Sequence, residues 1–523
     1  MAAEAGAGAP ERVAMKPDDA MAVSARLVES LRAQFEHQGL APVLIETHIS
    51  WVLLAGEYAY KIKKPVRFGF LDFTTLQARR HFCAEELRLN QRLARSLYIA
   101  VVPIHGDAQA PSWGRNGPAI EYAVKMHRMS PDALASARLA HGELAASDLV
   151  RFAQRLHEFH RAAPVAPADG EYATPQRIAA DTQRTLAALP PGEAAAAGAA
   201  LRPWFEAQAA RLAPVWAGRL AGGRVRECHG DLHLDNVLVL GRDVTAFDCL
   251  EFDAGLRWID VMNDVAFLTM DLHAHGRPDL AHVFLDAYLE ASSDYDGLPV
   301  LRHYMVGRAL VRGMVAALRA GQGGVRPVAP ASSHYLALAR RLAREWDPRL
   351  LITHGLPGSG KTFVSGRLLE HAGAVRVRSD VERARMLGGG RYAAADTAQV
   401  YERLGAVARV ALSAGYPTIV DAACLRRAER DALRAVADAM GAPFAILDCS
   451  APVDVLRQRV RERQRRGDDA SQADEAVLDL LLGRHEPLEA DETRCAIRVD
   501  TQQPLSIDAI AAAWLKAAAP AVN

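Results

Sequence analysis

The chain has few lysines, no paired cysteines and no long apolar runs. Only seven of its 62 basic residues are lysine, a bias typical of GC-rich genomes. None of the six cysteines forms a C-x-x-C pair, which argues against a zinc site, and such scattered thiols predict a cytoplasmic location. No apolar stretch approaches the roughly 20 residues that cross a bilayer. The first 20 residues also lack the apolar segment of a signal peptide.

The chain also lacks net charge, because 62 acidic residues balance 62 basic ones. A dedicated nucleic-acid-binding protein usually has a basic excess, so nucleic acid is not the expected partner. Half of the residues are hydrophobic, as in ordinary globular proteins. A chain of 523 residues exceeds the roughly 250–300 that a single core organises, so two domains are expected and a third stays open.

Composition and breaker residues divide the chain into four segments. Residues 1–20, rich in Ala, Gly, Pro and charge, predict a disordered tail. The first domain is expected over residues 21–325, with a hairpin turning at Gly56 and helices from about Trp258 to Arg319. A Gly- and Pro-rich stretch with a connecting helix follows over 326–346. In residues 347–523 helices alternate with short apolar strands, which predicts a mostly parallel α/β sheet.

The clearest motif runs from Gly355 to Thr362 and fits G-x-x-x-x-G-K-[ST], between a predicted strand and a predicted helix. Glycines let backbone amides curl around phosphate at the positive end of a helix. Lys361 is expected to reach the β- and γ-phosphates, and the Thr362 hydroxyl to bind Mg²⁺. The predicted nucleotide-binding residues of this loop are Gly355, Leu356, Pro357, Gly358, Ser359, Gly360, Lys361 and Thr362.

Several charged residues downstream are candidates for the same site. Asp380 ends the next predicted strand, where it would accept a proton from an attacking hydroxyl; alternatively it caps a helix. Asp421 ends another strand and would orient Mg²⁺ through water, or else it serves only turn chemistry. Arg459 and Arg463 belong to an arginine-rich helix that is either a lid over the transferred phosphate or a solvated surface.

This half resembles the small P-loop kinases related to polynucleotide kinase, zeta toxin and chloramphenicol phosphotransferase. In those families a strand-end Asp activates the acceptor hydroxyl, and an Arg one turn later helps to hold the substrate. The resemblance implies these roles for Asp380 and Arg383. It covers roughly residues 348–515 and defines the donor side better than the acceptor.

A second motif, His229-Gly-Asp-Leu-His-Leu-Asp-Asn236, lies in the first half and is followed by Asp248. Asp231 in a tight loop can accept a hydroxyl proton, while Asn236 and Asp248 can converge on Mg²⁺, as in protein kinases. A kinase-like site also needs a strand lysine paired with a helix glutamate. Lys61 fits the first position and Glu86 is preferred over Glu85 for the second; a surface lysine cluster is the alternative.

These residues match the H-G-D-x-H-x-x-N motif of aminoglycoside phosphotransferases and the related choline and homoserine kinases. The resemblance covers roughly residues 22–325 and implies an α+β protein-kinase-like fold. No G-x-G-x-x-G loop precedes Lys61, which departs from protein kinases. The two halves together resemble a bacterial family that fuses such a domain to a P-loop NTPase-type kinase domain.

The sequence therefore predicts a phosphotransferase with two sites, each using ATP and Mg²⁺ and acting on a small hydroxylated acceptor. A second hypothesis makes the first domain a nucleotide sensor and the P-loop domain the catalyst. A third, a kinase of nucleic-acid ends, follows from the polynucleotide-kinase resemblance and is disfavoured by the neutral charge.

Overall fold

The computed structural model describes residues 17–68, 71–114, 117–321, 330–388, 393–466 and 473–516. These residues divide into two units that do not follow the order of the chain. The first unit comprises the chain up to Leu134 with His229–Asp231 and Thr245–Arg257, and the second comprises the remainder. Most of the predicted tail, residues 1–16, and part of the predicted linker, residues 326–329, lie outside the described residues.

The N-terminal part of the first unit consists of a six-stranded sheet, a two-stranded sheet and two long helices. Its elements are α1 (Pro17–His37), β1 (Val43–Glu46), β2 (Ser50–Ala55), β3 (Tyr58–Lys63), β4 (Arg67–Phe68), β5 (Leu71–Asp72), α2 (Leu76–Asn90), β6 (Tyr98–Gly106), β7 (Pro111–Trp113) and β8 (Glu121–His127). The main sheet has the order β1-β2-β3-β8-β6-β7, and its neighbouring strands are antiparallel.

Strand β3 separates an apolar face from a charged one. Ile62 packs with Leu31 and Phe35 of α1 in a buried cluster. Because successive side chains of a strand point to opposite faces, Lys61 and Lys63 project together toward α2. The register pairs Lys61 with Val52 of β2 and Val124 of β8, so this strand is held on both edges.

The second unit contains a helical part followed by an α/β part. The helical part consists of α3 (Ala135–Ala140), α4 (Ala146–Ala162), α5 (Pro175–Ala187), α6 (Glu193–Ala221), β9 (Val225–Glu227), β10 (Val237–Leu240), β11 (Asp243–Ala246, whose last two residues belong to the first unit), β12 (Trp258–Asp260), α7 (Val261–Ala274), α8 (Pro278–Ser292), α9 (Leu298–Gly321) and α10 (Ser332–Arg344). The α/β part consists of β13 (Leu350–His354), α11 (Lys361–Ala372), β14 (Val375–Arg378), α12 (Ser379–Leu387), α13 (Ala394–Ser413), β15 (Thr418–Asp421), α14 (Arg427–Ala439), β16 (Phe444–Ser450), α15 (Val453–Arg466), α16 (Glu475–Leu482), β17 (Ala496–Asp500) and α17 (Ile507–Leu515). Short 3-10 helices occupy Pro131–Ala133, Leu234–Asn236, Ala254–Leu256, Tyr295–Gly297 and Thr493–Cys495.

The α/β part is built on a parallel sheet with the strand order β14-β15-β13-β16-β17. Leu351 and Ile419 on its central strands pack with Val364 and Leu368 of α11 and with Trp514 of α17. The predicted parallel α/β sheet is confirmed. In such sheets ligands bind beyond the carboxyl ends of the strands, where β13 leads into α11.

One predicted helix starts as a strand. Residues Trp258–Asp260 pair antiparallel with Val225–Glu227, whereas the sequence predicts helix from about Trp258. The helix begins at Val261 because Asp260 caps it, its Oδ1 accepting a hydrogen bond of 2.9 Å from the amide of Met262. Among the described residues, no helix has the length and apolarity that crossing a membrane requires.

Helix α8 packs against the α/β part. His282 Nδ1 lies 3.0 Å from the carbonyl oxygen of Glu370 at the end of α11. Gly373, which ends α11 with a φ of +65°, leaves room for that imidazole, since a Cβ there would lie 2.9 Å from His282 Nε2. A glycine is required at this position for both reasons.

A buried ion cluster joins α6 to the start of α7. Arg219 donates to both carboxylate oxygens of Asp260 at 2.6 and 2.7 Å and to both of Asp294 at 2.9 Å. All three side chains are at most 5 % exposed. Removing one partner from such a cluster leaves buried charge without compensation.

Replacing Arg219 by alanine is therefore expected to lower the free energy of unfolding by about 3–5 kcal/mol. Urea unfolding followed by circular dichroism measures the change. Arg184→Ala is the control, because its ion pair with Asp181 is exposed, and a loss below about 1 kcal/mol is expected there. Equal losses in the two variants would contradict the assignment.

Candidate active sites

The first candidate site begins with a glutamate that receives two lysines. Glu86 of α2 has no solvent exposure, and its two carboxylate oxygens lie 2.8 Å from Lys61 Nζ and 2.7 Å from Lys63 Nζ. The neighbouring Glu85 pairs instead with Arg88 at 2.8 Å and Arg257 at 3.6 Å. The structure thus brings Lys61 together with Glu86, the pair chosen from the sequence.

Two further carboxylates complete this cluster. Asp248 Oδ1 lies 2.6 Å from Lys61 Nζ, and Glu251 Oε1 accepts from Lys63 Nζ. Lys63 and Glu251 are not among the site residues predicted from the sequence. The signal was present, since Lys63 lies two residues from Lys61 on the same face of β3, and Glu251 follows Asp248 in the same loop.

Attraction between the opposite charges of this cluster shifts the pKa values of its members. Burial alone would lower the pKa of Lys61, but the carboxylates of Asp248, Glu86 and Glu251 outweigh it and hold the pKa well above its ordinary value. Burial likewise would raise the pKa of Glu86, and Lys61 and Lys63 reverse this, so the pKa lies below its ordinary value. Both lysines and Glu86 are therefore charged at neutral pH.

Asp248 sits on a strained backbone. Its φ is +62°, in the left-handed region that few residues other than glycine adopt. The conformation is held by the hydrogen bond from its amide to the Tyr98 hydroxyl at 3.3 Å, and by the bond from the next amide, of Cys249, to Asn90 Oδ1 at 2.9 Å. The Asp248 side chain stays 44 % exposed, so the strain presents a carboxylate outward from a buried pair.

The loop that carries Asp231 is hydrogen-bonded to the segment that carries Asp248. His229 Nε2 lies 2.9 Å from the carbonyl oxygen of Phe247. Gly230 has a φ of +86°, and a Cβ there would lie 2.6 Å from the Leu256 oxygen, so only glycine fits. The first unit thus holds Lys61, Glu86, Asp231 and Asp248. Asn236, the other predicted metal ligand, belongs to the second unit and is buried in the 3-10 helix Leu234–Asn236.

A separate buried cluster in the second unit joins three helices. His160, Cys228 and Asp264 place potential ligand atoms within 4.8 Å of one another. The imidazole of His160 is already engaged on both sides, by the Tyr288 hydroxyl at 2.8 Å and by Asp264 at 3.3 Å. The cluster therefore ties α4 to α7 and α8.

The second candidate site is the loop between β13 and α11. Gly355 and Gly358 have φ values of +137° and +84°. A Cβ on Gly355 would lie 2.3 Å from the Cys449 oxygen, and one on Gly358 would lie 2.7 Å from the Leu456 oxygen. Both glycines are therefore required by backbone conformation and by space, which leaves the loop amides free to curl toward a bound anion.

Lys361 opens α11 and folds back over this loop. Its Nζ donates to the carbonyl oxygens of Gly355 and Leu356 at 2.8 and 2.9 Å. Burial lowers the pKa of Lys361, and the carboxylates of Asp421 and Asp380 only partly oppose it. This lysine therefore differs from Lys61, whose neighbouring carboxylates are close enough to reverse the effect of burial.

The loop opens onto a cavity of about 570 Å³. Ten residues singled out from the sequence line it: Pro357, Gly358, Gly360, Lys361, Thr362, Asp380, Arg383, Asp421, Arg459 and Arg463. Of the other loop residues, Gly355 and Ser359 are buried, and Leu356 packs against Leu456 and Val460. The sequence analysis missed other lining residues, among them Arg378, Tyr401, Arg426 and Arg484. No motif marks these residues, because they come from separate elements.

The two acids predicted to end strands lie in different settings. Asp380 lies in the first turn of α12, and the cap position is held by Arg378, so the reading of Asp380 as a helix cap was wrong. Helix α12 begins at Ser379, so the residue before it, Arg378, occupies the cap position. Asp421 is 4 % exposed, and its Oδ2 accepts a 3.0 Å hydrogen bond from the Ser365 hydroxyl, one turn after Thr362.

The arginine-rich helix α15 has two distinct faces. Arg459 donates to the Gly358 oxygen at 3.2 Å and to Thr501 Oγ1 at 2.7 Å, and Arg463 donates to the Ala473 oxygen at 2.8 Å. Arg457 and Arg461 instead form exposed ion pairs with acids of α16. Arg459 and Arg463 therefore lie on the cavity side of the helix, and Arg457 and Arg461 on its solvated side.

The Lys63→Met substitution tests the cluster around Glu86. It is expected to lower the free energy of unfolding by about 3–5 kcal/mol, because Glu251 loses its partner while buried. Burial already raises the pKa of Glu251. A carboxylate with a raised pKa stabilises the fold when protonated, so the deficit should grow as pH rises from 5 to 8. Urea unfolding at both pH values measures it, with Lys125→Met as control; a pH-independent deficit would contradict this account.

Each part of the chain matches the model of a known protein family. The model described as "Phosphotransferase enzyme family" matches residues 70–304, and the model described as "AAA domain" matches residues 350–488. Kinases of these kinds generally use ATP with Mg²⁺. An uncharacterized protein of Mycobacterium tuberculosis is 30 % identical over 457 residues, which cover 83 % of this chain and 88 % of that protein. An uncharacterized protein of Mycobacterium bovis matches equally.

Solved structures resemble one part or the other. A choline/ethanolamine kinase family protein from Mesorhizobium loti is 12 % identical with a TM-score of 0.37, covering 61 % of this chain and 95 % of that one. An unliganded sugar kinase from a Janibacter species is 24 % identical with a TM-score of 0.27, covering 32 % and 95 %. At these TM-scores the structural similarities carry no functional argument.

The two family matches follow one another in the order that the two motifs predict, and the full-length mycobacterial relatives span both. The chain therefore belongs to the bacterial family in which an aminoglycoside-phosphotransferase-like domain with a kinase-like fold is joined to a P-loop kinase domain, and it is a kinase.

Proposed function

We propose that this kinase has two ATP sites and transfers the γ-phosphate to hydroxyl groups of small molecules, with Mg²⁺ at each site. The observation that carries the proposal is the presence of a lysine together with carboxylates in both candidate sites. Lys61 contacts Glu86 and Asp248 in one, and Lys361 opens the helix beside Asp421 and Asp380 in the other. Cationic and carboxylate groups together are what a magnesium nucleotide requires.

The P-loop site fits a magnesium nucleotide. Its glycines leave no side chain between the loop amides and an anion, and the first turn of α11 faces the cavity. Loop amides and Lys361 would hold the phosphates, while Thr362 and Asp421 would hold Mg²⁺. Asp380 would take the proton of the acceptor hydroxyl. Arg383 would bind the acceptor, and Arg459 and Arg463 would steady the transferred phosphate.

The kinase-like site divides the same tasks among other residues. Lys61, oriented by Glu86, would bind the nucleotide phosphates, and the exposed carboxylate of Asp248 would bind Mg²⁺. Asn236 stays a predicted Mg²⁺ ligand. Asp231 would accept the acceptor proton. The glycine at position 230, which no larger residue can replace, supports a fixed position for this aspartate.

The cavity lining favours a negatively charged acceptor at the P-loop site. Seven arginines and Lys361 line the cavity against only three carboxylates, Asp380, Asp421 and Glu429. Arg459 lies on the loop side, through Gly358, whereas Arg383 follows Asp380 by one helical turn. Arginines on the Asp380 side would match a phosphate or carboxylate of the acceptor. The neutral net charge of the chain still disfavours nucleic acid as that acceptor.

One observation favours a second candidate function, in which the kinase-like domain senses nucleotide and only the P-loop site catalyses. Ala55 pairs with Tyr58, so the turn between β2 and β3 consists of Gly56 and Glu57 alone. A turn of two residues has no length for a glycine-rich flap over the phosphates. Weaker phosphate clamping would leave binding intact while slowing transfer.

The two-site proposal predicts separable losses of ATP turnover. Lys361→Ala should lower the P-loop component about 100-fold or more, because a charge-stabilising donor is removed. Asp231→Asn should lower the other component by a factor of about 100–10,000, because the proton acceptor is lost. Phosphate release and product formation are measured for wild type, each variant and the double variant.

The pattern of losses separates the candidates. Retained turnover in each single variant and none in the double variant supports two active sites. Loss of all turnover in Lys361→Ala, with nucleotide binding still measurable by calorimetry, supports the sensor. Wild-type turnover in the double variant under every acceptor tried would refute both.

The charge of the acceptor is tested with matched sugars in the Asp231→Asn protein. Ribose 5-phosphate and ribose differ only in the phosphate. The anionic member of such a pair should therefore bind the P-loop cavity more tightly than the neutral member. Arg383→Gln should remove that preference, while Arg457→Gln, on the exposed face of α15, should keep it. Equal competition by neutral and anionic sugars would contradict an anionic acceptor.

A further inference from the structure

Two acids of helix α8 reach into the α/β part of the second unit. Asp286 Oδ2 accepts from Arg376 Nη2 at 2.7 Å, and Glu290 Oε1 accepts from Arg378 Nη1 at 2.8 Å. The acids are four residues apart and so lie on one face of the helix, and the arginines are two apart on one face of β14. Two parallel ion pairs therefore join α8 to the strand that leads to Asp380.

These ion pairs are shielded from solvent. Arg376 and Asp286 are each about one-tenth exposed, and Arg378 and Glu290 are 16 % and 27 % exposed. The Tyr295 hydroxyl adds a 3.4 Å bond to the Arg376 carbonyl oxygen. Water therefore competes little for the Arg376–Asp286 pair and somewhat more for the Arg378–Glu290 pair.

The other ends of both arginines face the residues proposed to hold Mg²⁺. Arg376 Nη1 donates to the backbone carbonyl oxygen of Thr362 and to the Ser365 hydroxyl, each at 3.4 Å. Ser365 in turn donates to Asp421 Oδ2 at 3.0 Å. Arg378 lines the cavity, and its Nε lies 4.0 Å from the same oxygen of Asp421.

Arg378 thus stands between two carboxylates, one from each part of the chain. Glu290 holds its Nη1 at hydrogen-bond distance, while Asp421 lies just beyond that distance from its Nε. Without the charge of Glu290, the guanidinium still has the Asp421 carboxylate within 4.0 Å. A direct pair with Arg378 would then compete with Mg²⁺ for Asp421, because both bind the same carboxylate.

We propose that Asp286 and Glu290 of α8 are positioning residues of the P-loop site, and that Glu290 keeps Arg378 from neutralising Asp421, so that Asp421 stays available to Mg²⁺. The proposal rests on the proposed magnesium-nucleotide site. It makes the kinase-like domain a structural component of the P-loop site, because α8 lies within the residues that the phosphotransferase family model matches.

The test compares nucleotide binding with and without metal in the full-length chain. The signal is the component of ADP binding that is lost in Lys361→Ala, measured by calorimetry in Mg²⁺ and in EDTA. Glu290→Gln should weaken the Mg²⁺-dependent component about tenfold, the size typical for lost support of a metal ligand, and leave the EDTA component unchanged. A purely structural role would weaken both equally.

Two further variants locate the effect. Asp279→Asn, on the same helix, breaks an ion pair with Arg277 that does not involve the α/β part, and should leave both components unchanged. Arg378→Ala removes the competing guanidinium, so adding Glu290→Gln to it should have no further effect on Mg²⁺ dependence. Circular dichroism confirms folding; if Glu290→Gln does not fold, Glu290→Asp, which keeps the charge, replaces it and should retain Mg²⁺ dependence.

The outcomes separate two failures. If wild type and Lys361→Ala bind ADP alike, the proposed nucleotide site is wrong. If they differ but Glu290→Gln weakens both components equally, or acts fully in the Arg378→Ala chain, the site stands and the positioning role of α8 is overturned.

Discussion

The charge of Glu86 is the constraint on which the first unit depends. A carboxylate without solvent exposure is unfavourable unless cations surround it, and Lys61 and Lys63 supply them from a single strand face. The two lysines also pair with Asp248 and Glu251, which belong to a loop far along the chain. One buried acid therefore fixes α2, β3 and the loop after β11 together. The loop around Asp231 is held to that same segment through His229.

The second unit uses the same physics in a different arrangement. Here arginines of β14 extend between carboxylates on opposite sides, Asp286 and Glu290 from α8 and Asp421 from β15. Arginine suits this task because its planar group offers several donors in fixed directions, whereas lysine offers one point of charge. The arginine bias of the sequence thus supplies residues that can contact two neighbours at once, and the cavity lining shows the same use.

The sequence was sufficient wherever local spacing carried the chemistry. The P-loop and the H-G-D motif follow from residue types at fixed intervals, and the parallel sheet follows from the alternation of helices and strands. The Lys61–Glu86 contact was predicted from what a kinase-like site requires. It was insufficient where distant segments meet. Glu251 and Arg378 belong to no motif, and their positions follow only from packing of separate elements. The strand at Trp258 was missed because its partner, Val225–Glu227, is more than 30 residues away in the chain. The strained backbone of Asp248 has no sequence signature either, since aspartate is found in many conformations.

The opposite electrostatic settings of Lys61 and Lys361 have a consequence for covalent chemistry. An amine attacks an electrophile only when it has lost its proton. The carboxylates around Lys61 hold that proton tightly, whereas burial loosens it from Lys361. The two side chains are therefore unequal nucleophiles. An acylating or sulfonylating reagent that reaches both side chains should therefore modify Lys361 before Lys61.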